Sequence, residues 1–178
     1  MNQFSIKTHC PDCFESSAEV QCKQCGFIKK NSNDINYLPE FTEISENIVI
    51  GRVLKSGGFG VVYAGLHEKL NLKIAIKEYF PEKAGLAKRA KNRIFVEACD
   101  SKEKEFAQWR DAFFNEAQII AKFQGKSHIV LVTDVKEKNG TNYMVMERIK
   151  GQTLESLLGS VNKQGKLKKN SLMMMPVN

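Results

Sequence analysis

Little in this sequence takes it out of water. No apolar run approaches the length that spans a bilayer, and the opening stretch, MNQFSIKTHC, holds no apolar core of signal-peptide length. A cytoplasmic protein with no membrane segment is the expectation. There are no internal repeats. Cysteine is scarce after the first 25 residues, where Cys99 stands alone and is read as a small apolar side chain. The basic cluster KQGKLKK (163–169) has no interleaved aromatics of the kind that stack on bases. The formal net charge of +7 is therefore read as a solvated surface rather than a nucleic-acid platform, and nucleic acid is not an expected partner.

What is present suits one ordinary domain, or a small domain with an appendage. The 178 residues are 42% hydrophobic, enough for a packed core, and 26% charged. Four segments are expected: a cysteine-rich head (1–30), a polar linker (31–45), an α+β unit (46–158) and a lysine- and methionine-rich tail (159–178). In the α+β unit, β-branched and aromatic residues predict five strands, at 47–54, 60–66, 72–79, 129–137 and 141–149. Asn139-Gly140 is a hairpin signal between the last two. Phe106, Trp109, Phe113, Ala117, Ile120 and Phe123 recur at three- and four-residue spacing and predict a helix over 102–123, with Gly125 as its stop. The expected fold is α+β: a five-stranded antiparallel sheet with one main helix, behind a small cysteine module.

Several residues could carry chemistry. The glycines of SGGFG (56–60) allow a backbone to approach a bound group closely, and its N–H groups can face phosphate oxygens. On an alternating strand, Ala75 and Lys77 share a face, leaving room for a flat ligand beside a cation. At about 100° per residue, Glu116 falls on the flank of the helix's buried face, and a carboxylate there needs a partner. Lys77 is the natural one. NYMVMERIKG (142–151) ends a hydrophobic strand in groups that can edge a pocket. Each feature alone also fits an unremarkable turn, strand or helix edge.

Their order is more specific. VLKSGGFGVVYAG, IAIKEYFP, FFNEAQIIAKF and NGTNYMVMERIKGQTL resemble the N-lobe of bacterial serine/threonine protein kinases of the eukaryotic-like type, over about residues 48–158. The resemblance implies an ATP site, with Mg, made by Leu54, Gly57, Gly58, Phe59, Gly60, Val62, Ala75, Lys77, Glu116, Met146, Glu147 and Ile149. Gly57 and Gly60 match the second and third glycines of the loop, and Phe59 would cap the phosphates. Val62 and Ala75 would line the adenine pocket, Lys77 would bind the α/β-phosphates, and Glu116 would pair with Lys77. Met146 resembles the gatekeeper, with Glu147 and Ile149 as hinge residues. Lys55 stands where the family has its first glycine. The H-R-D and D-F-G motifs, which supply the base and metal ligands, do not occur. The resemblance thus implies a lobe without its catalytic second lobe, inactive by itself. The alternative is a non-catalytic interaction module that binds a protein partner.

At the head, CPDC (10–13) and CKQC (22–25) place Cys10, Cys13, Cys22 and Cys25 as two C-x₂-C knuckles, and four thiolates suit tetrahedral zinc. Disulfides or a redox C-x-x-C are the other uses of such pairs, and a cytosolic setting disfavours lasting disulfides. Some bacterial kinases of this type look similar at the N-terminus.

Overall fold

The computed structural model describes residues 4–29, 34–90 and 94–151. The chain divides into two units, Met1–Arg148 and Ile149–Asn178, and of the second only residues 149–151 are described. The expected tail therefore lies outside the described residues.

The first unit is organised on a six-stranded antiparallel sheet. Its strands are β1 (Glu43–Ser45), β2 (Ile48–Ser56), β3 (Gly60–His67), β4 (Leu72–Tyr79), β7 (Val132–Lys138) and β8 (Thr141–Glu147). Their order is β1-β2-β3-β4-β8-β7, with every neighbouring pair antiparallel. Five of these strands lie within a few residues of their expected positions. The sixth, β1, is three residues long, too short for alternation to show in sequence, and it falls in the stretch read as linker. A separate hairpin, β5 (Ala87–Arg89) with β6 (Val96–Ala98), precedes the helix α1 (Glu103–Ala121).

Alternation sorts the sheet's two faces. Ile48, Ile50, Val61, Tyr63, Ile74 and Ile76 point to one face and enter the main core; Phe106 and Phe113 of α1 join that core against Tyr79, which shares the opposite face with Lys77. Val49, Ala64 and Leu66 enter a second cluster with Phe14 and Phe41. The Asn139-Gly140 turn has φ of 55° and 77°, the left-handed pair that a two-residue hairpin loop requires. A side chain at Gly140 would meet the Val96 carbonyl at 2.4 Å, so the turn also seats β6.

The cysteine head is two copies of one backbone motif. Phe14 N–H bonds the Cys10 carbonyl and Gly26 N–H the Cys22 carbonyl, both at 2.8 Å. Cys10 N–H bonds the Glu15 carbonyl, and Cys22 N–H that of Phe27. Each knuckle closes on a residue of positive φ, Phe14 at 63° and Gly26 at 75°. Each also carries an isolated bridge, His9 to Ser16 and Gln21 to Ile28.

Candidate functional site

Lys77 and Glu116 meet. The alternation of β4 points Lys77 away from Ile76 and into the space under α1, where Glu116 descends from the helix. Lys77 Nζ donates to Glu116 Oε1 at 2.8 Å and to Oε2 at 3.1 Å. The ammonium also lies 5.1 Å from the centroid of Phe113, a cation–π contact that further limits its positions. Both partners keep access to water, at 29% and 48% side-chain exposure, so this pair orients a charge more than it stabilises the fold.

The register places other expected residues beside Lys77. Val62 pairs with Lys77 across β3 and β4, and Ala64 pairs with Ala75. On the other side Met146 pairs with Ala75, and Met144 with Lys77. Directly paired residues point to the same face, so Val62, Ala64, Ala75, Lys77 and Met146 share one surface. The glycine loop joins β2 to β3 at its end. Gly57 N–H bonds the Gly60 carbonyl at 2.9 Å. A Cβ at Gly60 would meet the Glu78 carbonyl at 2.2 Å, whereas one at Gly58 would meet nothing within 4 Å. Gly60 is thus required by the sheet, and the backbone before it faces open space. Phe59 is half exposed and packs, tilted, against Trp109 of α1 with ring centroids 5.4 Å apart, which ties the loop tip to the helix. Leu54 packs on the Phe14 and Phe41 cluster. Glu147 exchanges two hydrogen bonds with Leu131: its N–H donates to the Leu131 carbonyl, and its Oε1 accepts from Leu131 N–H at 2.8 Å. Ile149, in the second unit, is exposed.

The four cysteine Sγ atoms all lie within 4.8 Å of one another. Cys10 and Cys25, and Cys13 and Cys22, approach to 3.6 Å. This is far beyond a disulfide length of about 2.05 Å, and all four are free. It is close to the edge of a tetrahedron with metal–sulfur bonds of about 2.3 Å. Burial pushes the Cys13 thiol up to about 11 and raises Cys25. Burial opposes ionisation at Cys22 too, but hydrogen bonds from the Cys25 and Gln24 backbone together with the Cys13 and Cys25 side chains hold that thiol down to about 6. Four thiolates this close require a cation among them, so the donor set fits a thiolate-binding metal.

Sequence reasoning missed a second charged constellation, one residue from Lys77. Glu78 points to the opposite face and is fully buried. Its Oε2 accepts from Arg89 Nη2 at 2.8 Å and from Tyr63 OH at 2.9 Å; its Oε1 accepts from Arg89 Nη1 and Tyr143 OH, both at 3.1 Å. Arg89 also donates to the Asn36 carbonyl and stacks at 4.3 Å on Phe80. This network fastens the β5–β6 hairpin to the sheet and has no open side. The one signal in sequence was a glutamate at an inward position of a strand.

Comparison with known proteins places this geometry. The family model for protein tyrosine and serine/threonine kinases matches residues 48–178. Among solved structures, one titled "PpkA-294 apo form" aligns with a TM-score of 0.64 at 32% identity. The alignment covers 70% of this chain and 43% of that one, so this chain spans less than half of that protein. A search of curated proteins finds no match.

Proposed function

The chain belongs to the protein tyrosine and serine/threonine kinase family, and from that premise we propose that it is the ATP-binding part of a serine/threonine protein kinase. The observation that carries this reading is the two-pronged Lys77–Glu116 pair. A lysine held by both carboxylate oxygens is aimed rather than mobile, and its remaining N–H donor and charge suit the α/β-phosphates. Adenine would lie against Val62, Ala75 and Met146, with Glu147 at the hinge. Gly57 and Gly58, whose added Cβ atoms would meet nothing closer than 4.0 Å, would bring backbone N–H groups over the phosphates.

The nucleotide's magnesium would lower the charge of the phosphates, but the family's residues for holding it do not occur in this sequence. Nor does the residue that orients the attacking hydroxyl. This chain alone binds nucleotide without transferring its phosphoryl group. Robust, Lys77-dependent phosphotransfer by the purified chain would overturn that statement. The cysteine head is a structural zinc site, closed by four protein ligands and so without catalytic chemistry of its own.

Calorimetric titration with ATP and magnesium tests the binding claim. Removing a charge-assisted hydrogen bond costs about 1.5–3 kcal/mol, so Lys77→Met should weaken binding by about tenfold or more. A folded wild-type chain that takes up no ATP would end the reading.

A further inference from the structure

The cysteine head is seated on the face of the sheet that carries Lys77. Phe14, which closes the first knuckle, packs on Val49, Ala64 and Leu66. Ala64 is the direct partner of Ala75. Lys73, two residues before Ala75 on the same face, pairs with Glu15 of the head at 3.4 Å. Pro11 lies so close to β2 that a Cβ on Gly51 would meet its carbonyl oxygen at 2.0 Å, and Arg52 N–H donates to that oxygen at 2.8 Å.

Asp12 completes the contact. It sits between the expected metal ligands Cys10 and Cys13, and two arginines converge on it. Arg52 Nε donates to Oδ1 at 2.7 Å, and Arg148 Nη2 donates to the same oxygen at 2.5 Å. Arg148 Nη1 donates to the Asp12 carbonyl at 2.5 Å. The three side chains are 14%, 30% and 18% exposed for Asp12, Arg52 and Arg148, so this is not a solvated surface pair. Arg52 comes from β2, which also carries Leu54. Arg148 directly follows Glu147 at the end of β8. In the sheet these two strands are separated by β3 and β4, a span of roughly three strand spacings or about 14 Å. One knuckle loop thus braces two strands that do not touch.

From this we infer that Asp12 is a positioning residue for nucleotide binding. The metal-held loop fixes the end of β8 against β2, so loading of the cysteine site and occupancy of the nucleotide site favour one another. The inference rests on the ATP reading above. Linkage makes the coupling reciprocal: whatever factor the metal adds to nucleotide affinity, the nucleotide adds to metal affinity.

The test uses the full chain. In Asp12→Asn, metal content stays at the wild-type level. ATP affinity falls by about fivefold or more, the lower end of ordinary coupling, and amide exchange quickens at Glu147 and Arg148. Stripping the metal from wild type with a chelator gives the same loss, and stripping it from Asp12→Asn adds nothing. Arg148→Lys keeps the charge but not the fork, so it reproduces the loss with the metal retained, and it decides the matter if Asp12→Asn does not fold. The inference is overturned if a folded, metal-loaded variant keeps wild-type ATP affinity and wild-type exchange at these two amides. If wild type itself binds no ATP, the nucleotide reading fails separately. Exchange at Glu147 and Arg148 then decides the brace, faster in the variants supporting it and unchanged overturning it.

Discussion

Adjacent residues of β4 carry ion pairs of opposite purpose, and replacing Arg89 by leucine separates them. Glu78 and Arg89 have side chains 0% and 1% exposed. Arg89→Leu removes two of the four hydrogen bonds that the Glu78 carboxylate accepts and leaves a buried charge facing only the Tyr63 and Tyr143 hydroxyls. Breaking a buried pair from one side costs about 3–5 kcal/mol. At roughly 2–4 °C per kcal/mol for a chain of this size, the midpoint should fall by on the order of 6–20 °C. Thermal unfolding followed by circular dichroism measures it. Glu78→Leu added to Arg89→Leu should recover part of the loss, because an apolar pair leaves no orphaned charge. Lys77→Met, by contrast, removes a water-accessible pair worth about 0–1 kcal/mol and should leave the midpoint nearly unchanged. An Arg89→Leu midpoint within about 2 °C of wild type would refute the assignment of Glu78–Arg89 as the structural pair.

Three further outcomes are expected. Gly51→Ala drives a Cβ into the Pro11 carbonyl; stability should fall by about 1–3 kcal/mol, and a chelator should strip metal faster, whereas unchanged rates would mean the head is not seated on β2. Cys13→Ser should abolish stoichiometric zinc binding, read by elemental analysis and by cobalt substitution, and full zinc retention would remove Cys13 from the ligand set. Burial pushes Tyr79 up to about 12 and raises Tyr63 and Tyr143 as well. The folded state therefore keeps protons that the unfolded chain releases above about pH 10. Stability should be full below that pH and decline as pH rises through it. Phenolate absorbance should show these three tyrosines ionising only as the chain unfolds, and early ionisation of all three would contradict their burial.

The parts legible in sequence were those with local signals. Long alternating strands, the Asn-Gly turn and each C-x₂-C knuckle are written within a short stretch of sequence. The three-residue strands β1, β5 and β6 are too short to show a period, even though β1 pairs with the neighbouring β2 and β5 with the neighbouring β6. Trp109 and Phe123 were counted in the helix's apolar stripe, but both remain nearly half exposed. Trp109 turns toward Phe59 across the glycine loop instead of into the core. The Glu78–Arg89 network and the Asp12–Arg148 contact join residues 11 and 136 positions apart, and no periodicity encodes such pairs. A glycine within a strand pattern, Gly51, was the one readable sign that another backbone comes close.

The proposed nucleotide site requires Lys77 to stand at the phosphates of the bound nucleotide. An ATP analogue with an acyl group on its terminal phosphate tests this directly, because a lysine amine held at the phosphates attacks the acyl carbon, forms an amide and releases the nucleotide. Acylation should concentrate on Lys77, be suppressed by excess ATP and be accompanied by little labelling of the other lysines. Labelling spread over the surface lysines, indifferent to ATP and sparing Lys77, would contradict that requirement.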